Sequence, residues 1–165
     1  MIVVADASPL NYLIQIECDP LLRELFGKVL VPAAVIEELR HPAAPSPVAS
    51  WLLHIPSWIE VRAVSARPDP ALELLDLGER EAIQLAQEQH ADLLLIDERR
   101  GRLEAKRRGV ATTGTLGVLL TAGKRGLVDA EAAFERLISE TSFRAAPAVR
   151  EGFVKQCGEW RRRKD

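Results

Sequence analysis

Four carboxylates in this sequence stand where an oxygen-liganded cation would need them. Asp6 and Asp97 each follow a short continuous apolar run, Ile2-Val3-Val4-Ala5 and Leu93-Leu94-Leu95-Ile96. Such runs read as buried strands of a parallel sheet, and open parallel sheets bind ligands beyond the carboxyl ends of their strands. A strand-ending aspartate also makes a good turn residue, so two in equivalent positions carry more weight than one. Glu38 and Glu79 lie on helical stretches. At about 100° per residue, Glu38 falls on the side of Val35 and Glu37 points nearly opposite. Glu79 shares the face of Ala82, Ile83 and Ala86, whereas Glu81 lies nearer Leu85. Glu38 and Glu79 are the inward acids on this test. A first-turn glutamate favoured by the helix dipole is the plainer explanation of Glu79, and a solvated helix acid that of Glu38. Four carboxylates at one sheet edge repel unless a cation sits among them. Mg²⁺ takes oxygen ligands and is often held by few protein carboxylates. Such an ion activates water and stabilises charge on a phosphoryl group.

The elements that must position these acids follow from the apolar pattern. Strands are expected at 2–5, 29–31, 58–61, 93–96 and 110–112. Helices are expected behind Ser8-Pro9, which read as cap and first-turn proline, and around 21–26, after Pro32, at 48–53, 79–89, 99–108, 115–122 and 129–139. The proline-rich stretch from His41 to Pro47 and the polar stretch 62–71 read as loops. One more helix around 148–156 precedes a charged tail, Arg161-Arg162-Arg163-Lys164. Short apolar strands alternating with helices imply a parallel sheet covered on both faces. The expected division is a domain over 1–140, with a C-terminal helix and basic tail over 141–165 on or extending from it.

Composition narrows the class. The chain has 165 residues, 47% apolar and 28% charged, the mixture of a globular domain. No apolar run is long enough to span a bilayer. The first residues lack the basic n-region of a signal peptide, so a cytoplasmic location is expected. Cys18 and Cys157 cannot supply a disulfide framework or a four-cysteine zinc site. His41, His54 and His90 have no ligand spacing. Nothing activates Cys157 as a nucleophile, and Gly114-Thr115-Leu116-Gly117 lacks the lysine of a phosphate-binding loop. Trp51 and Trp58 could stack on bases, but burial under the proline-rich loop is the simpler reading.

The net charge of −2 hides a split, with −9 over residues 1–97 and +7 over 98–165. The densest basic segment follows Asp97 directly. Within it Arg99, Arg102 and Lys106 share a helical face and could contact phosphates; a solvated helix face is the rival explanation. Ser8 and Thr115 could hydrogen-bond a ligand or simply cap helices.

At these residues the chain resembles the PIN-domain family. Asp6-Ala7-Ser8-Pro9-Leu10 resembles its first acidic motif and Val35-Ile36-Glu37-Glu38-Leu39 its second. Leu77-Gly78-Glu79-Arg80-Glu81-Ala82-Ile83 is similar to a Gly-Glu-x-Glu-Ala-Ile form of one branch. Many relatives carry aspartate there, which leaves the choice between Glu79 and Glu81 open. Leu95-Ile96-Asp97-Glu98-Arg99 resembles the last acidic motif, and Gly114–Leu120 is also similar to that branch. The likeness spans roughly residues 2–128. It implies a Rossmann-like three-layer α/β/α sandwich with a mainly parallel sheet. It implies Mg²⁺- or Mn²⁺-dependent RNA hydrolysis, with Asp6, Glu38, Glu79 and Asp97 as metal-holding, catalytic acids. The branch is similar to VapC-type toxins of toxin–antitoxin pairs, which implies a homodimer and a cognate antitoxin. Phe143, Phe153 and Trp160 are candidates for the dimer interface. Glu98 is expected to face away from the site. The rival reading is a non-catalytic PIN-like module that binds RNA or an antitoxin; a receiver-like or phosphatase-like domain explains Glu38 and Glu79 less well.

Overall fold

The computed structural model describes residues 1–163. The apolar runs become five strands: β1 (Val3–Ala5), β2 (Val29–Pro32), β3 (Ile59–Arg62), β4 (Leu93–Leu95) and β5 (Thr112–Thr113). They form one sheet in the order β3-β2-β1-β4-β5, with every pairing parallel. The chain winds outward from β1 through β2 to β3, then crosses back and winds the other way through β4 to β5. The β1–β4 junction is thus the point where winding reverses, the place where open parallel sheets accept ligands. Ala5 pairs with Leu95, and the Asp6 N–H donates to the Leu95 carbonyl at 2.9 Å. Asp6 and Asp97 therefore leave neighbouring strands at that crevice.

Alternate strand residues feed two cores. Val3, Ala5, Val29, Val31 and Leu95 pack on one face; Val4, Leu30, Leu94 and Ile96 pack on the other. Helix α5 (Leu77–Glu88) and helix α6 (Arg99–Arg107) cover the second face through Ile83, Leu85 and Ala105. On the first face lie α1 (Ala7–Gln15), α2 (Pro20–Phe26), α3 (Ala33–Leu39), α4 (Ser46–Leu53), α7 (Thr115–Lys124), α8 (Ala130–Glu140) and α9 (Pro147–Arg162). The three-layer α/β/α arrangement expected from the apolar pattern is the one found.

Several boundaries differ for local reasons. Ser8 is inside α1 and does not cap it; Asp6 holds the cap position, with no capping bond from its side chain. Pro32 stays in β2, and its successor opens α3. Helix α5 begins at Leu77 because Asp76 caps it, accepting from the Glu79 N–H at 2.9 Å. The connection after β3 contains a 3-10 turn at Pro70–Leu72, which buries Leu72. Helix α9 runs well beyond Gln156, so Arg161 and Arg162 are helical and not tail. Arg161 reaches Asp129 at 3.6 Å and Glu131 at 3.4 Å. Lys164 lies outside the described residues.

The aromatic residues offered as a dimer surface pack within the chain. Phe153 is buried and stacks on Phe134 of α8, ring centroids 4.6 Å apart. Trp160 closes on Gly123, where an added Cβ would sit 2.9 Å from its ring. Phe143 meets Tyr12 edge to face. Trp51 is half-buried and donates its indole N–H to Asp19 at 3.1 Å. Among the described residues, no helix is long and apolar enough to cross a membrane.

Candidate active site

Asp6 is the most confined acid, 3% exposed. Its Oδ1 is buried and has no hydrogen-bond partner among the described residues. Burial raises its pKa from 3.8 to about 8, helped by the charges of Glu79, Glu38 and Asp76 and opposed by the Ala7 N–H. Glu79, in the first turn of α5, is buried too. Its carboxyl lies near Gly101 of α6, where an added Cβ would sit 3.9 Å from it and would instead overlap Ile96. Burial raises its pKa to about 7, and Asp76, Glu98 and Glu38 add to the rise. Glu81 turns away and accepts from the Ala34 N–H at 3.2 Å, at the start of α3. Of the two glutamates left open by sequence, Glu79 is the one beside Asp6.

Glu38 is exposed, but its Oε1 accepts from the Gly78 N–H at 2.8 Å. Partial burial and the neighbouring Asp76 carboxyl raise its pKa, while the Gly78 N–H opposes the rise. With Glu38 in this position a Cβ at residue 78 would overlap its carboxylate, so a larger residue there would make Glu38 move. Asp97 is half-buried, and Thr115 holds both its oxygens: the backbone N–H donates to Oδ1 and the hydroxyl to Oδ2, each at 2.7 Å. Gly114 permits this approach, since an added Cβ would lie 2.5 Å from Oδ1. Burial raises the Asp97 pKa, and the Thr115 bonds and Arg102 hold it back. Thr115 is thus a partner of Asp97 in α7.

The structure brings Asp6, Glu38 and Glu79 within electrostatic reach of one another. Asp97 stands at the adjacent strand end. Two further acids belong to the neighbourhood. Asp76 bears on Asp6, Glu38 and Glu79 alike; the spacing of Asp76 and Glu79 is a helix-start signal that could have marked it. Glu98 does not face elsewhere: it lines the same cleft as Asp97 and Ser8 and bears on Glu79.

Oxygen-only donors, an orphaned buried Oδ1 and carboxyls raised by burial and mutual repulsion suit a hard divalent cation, which would relieve all three. Among the described residues, no three His, Cys, Asp or Glu side chains stand close enough to form a metal cage as they are. Protein donors hold two of the acids instead, Glu38 through Gly78 and Asp97 through Thr115. Such hydrogen bonds also orient carboxylate ligands.

A test of this packing is Gly78→Ala. It should cost no more than about 1 kcal/mol in urea unfolding, because the exposed Glu38 side chain can swing aside at the loss of its bond to the Gly78 N–H. In a Glu38→Ala background the same change should become stabilising by up to about 1 kcal/mol, because alanine is the better helix former.

The basic side adjoins the acids. Arg99 and Arg102 line the cleft that contains Asp97. Lys106 is exposed farther along α6 and does not line it. Arg108 is committed elsewhere, to Asp69 at 2.7 Å and Glu104 at 2.9 Å.

A family model described as a PIN domain matches residues 2–159. No curated protein matches the chain.

Proposed function

This chain belongs to the PIN-domain family, whose members are generally nucleases, and on that premise we propose that it is a Mg²⁺- or Mn²⁺-dependent endoribonuclease. The observation that carries the proposal is the buried, unpartnered Oδ1 of Asp6 among acids at the β1–β4 crevice. When bound, a divalent ion would supply acidification of a water and neutralisation of charge developing on the phosphodiester.

The chain's own residues do the rest. Asp6 and Asp97 would be the direct ligands, Asp6 fixed by the strand pairing and Asp97 by Thr115. Glu38 and Glu79 would act through water or orient the nucleophile. Arg99 and Arg102 would take phosphates at the cleft, with Lys106 extending the basic track along α6. Neutralising Arg99 and Arg102 together (Arg→Gln) should weaken RNA binding and reduce the salt slope, log Kd against log salt, by roughly 1–2. Filter binding over a salt series reads this; an unchanged slope would remove both arginines from the RNA contact.

The motif resemblance over 77–83 and 114–120 supports a VapC-like toxin of a type II toxin–antitoxin pair, acting in the cytoplasm as a homodimer restrained by a cognate antitoxin. The division proposed is a nuclease domain over 1–140 with 141–165 packed on it. The experiment is RNA incubated with purified protein and Mg²⁺, Mn²⁺ or EDTA, beside Asp97→Asn. Cleavage in Mg²⁺ or Mn²⁺ but not EDTA, and lost in the variant, is expected. RNA binding without cleavage under any of these conditions would favour the non-catalytic module instead.

A further inference from the structure

The cleft beside Asp97 holds more than an acid site requires. It encloses about 500 Å³, within the range of small-ligand sites. Arg99 and Arg102 line it from α6, and Arg144 lines it from the segment between α8 and α9. None of these three guanidinium groups forms an ion pair among the described residues, and all three residues are exposed. The cleft also has an aromatic wall. Tyr12 of α1 and Phe143 both line it, with ring centroids 5.2 Å apart and planes at 86°.

The segment carrying Phe143 is pinned. The Thr141 hydroxyl donates to the Leu137 carbonyl at 2.6 Å and accepts from the Phe143 N–H at 3.0 Å. Arg144 donates to the Phe143 carbonyl at 3.1 Å. Aromatic surface and unpaired guanidinium groups in one small cleft are the two chemistries that recognise a nucleotide, through its base and its phosphate. Asp97 and Glu98 on the same cleft disfavour a small free anion, which has no base to offset their charge.

We propose that this cleft is a nucleotide subsite, taking one nucleotide of the substrate with its base on the Tyr12–Phe143 wall and its phosphate on Arg99, Arg102 and Arg144. The proposal rests on the ribonuclease reading for its role, and it adds Tyr12, Phe143 and Arg144 to the substrate-binding residues. It also makes the link between α8 and α9 part of the site.

The test is calorimetric titration of the full chain with AMP, UMP and inorganic phosphate in EDTA, so that no metal contributes. The variants are Phe143→Leu, Arg144→Gln and, as a control on the far part of α9, Lys155→Gln. The nucleotides should bind at least about tenfold more tightly than phosphate, since stacking adds to the anion contact. Phe143→Leu should weaken the nucleotides about fivefold or more and leave phosphate unchanged. Arg144→Gln, at an exposed position, should weaken both without moving the melting temperature, and Lys155→Gln should change neither. Equal affinity for phosphate and nucleotide, or unaltered nucleotide affinity in Arg144→Gln, would overturn the subsite. Nucleotide binding with this variant pattern but no RNA cleavage in Mg²⁺ or Mn²⁺ supports the subsite and rejects the ribonuclease reading. Metal-dependent cleavage without nucleotide binding does the reverse.

Discussion

Asp6→Asn should abolish metal-dependent cleavage and, at neutral pH, make the metal-free protein more stable. The two effects have one cause. Asp6 is buried with an unpartnered oxygen, and its pKa is raised to about 8, chiefly by burial. Glu79 beside it is raised to about 7. An acid whose folded pKa lies above its unfolded value keeps its proton in the folded state while the unfolded chain releases it. Stability of the metal-free protein should therefore be greatest at about pH 4 and fall as pH rises to about 8. Asparagine removes most of that slope. The gain over wild type at pH 7.5 should be about 1–4 kcal/mol by urea unfolding in EDTA. The same change should lower cleavage at least a hundredfold, roughly the upper end of losses seen when even an outer partner of a metal site is removed. Asp6→Asn that is both less stable and fully active would place the chemistry elsewhere.

Phe134→Ala should cost about 3–5 kcal/mol of stability, the range for deleting a buried aromatic side chain. Phe134 is 1% exposed and stacks on Phe153, which joins α8 to α9. Cys157 and Trp160 continue the contact against α7 and α8. A single unfolding transition shifted to lower urea is expected from circular dichroism. Two transitions, with only the smaller one moved, would mean that α9 melts apart from the sheet and is not integral to its core.

How far the sequence revealed this arrangement depended on local periodicity. The runs before Asp6 and Asp97 are continuous and apolar, so both strands were legible, although β1 starts one residue later and β4 ends one residue earlier than expected. The face of Ala82, Ile83 and Ala86 favoured Glu79 over Glu81, but the motif left the choice open until Glu81 was seen to accept from the Ala34 N–H. Glu98 was misplaced for an identifiable reason. Side chains alternate only along a strand, and β4 ends at Leu95, so Asp97 and Glu98 belong to the turn into α6 and face one cleft. The Asp76–Glu79 spacing marks Asp76 only as a helix cap; its effect on three other carboxyls appears only once α3 and α5 lie side by side. Phe143 and Arg144 sit between helices, where no periodicity marks a face, and the contact of Phe143 with Tyr12 is long-range. The split in charge became partial adjacency. The Arg102 charge lowers the Asp97 pKa without pairing with it, whereas Arg108 and Arg161 are consumed by ion pairs within the fold.

The central claim is that the carboxylates at the β1–β4 crevice form a divalent-cation site. Equilibrium binding of Mn²⁺, followed by the loss of the free-ion electron paramagnetic resonance signal at pH 7.5, tests it directly. Wild type should bind one or two ions saturably, with binding weakened at least tenfold in Asp6→Asn and in Asp97→Asn and competed by Mg²⁺. Mn²⁺ binding of equal strength in wild type and both variants, or none in wild type, would contradict it.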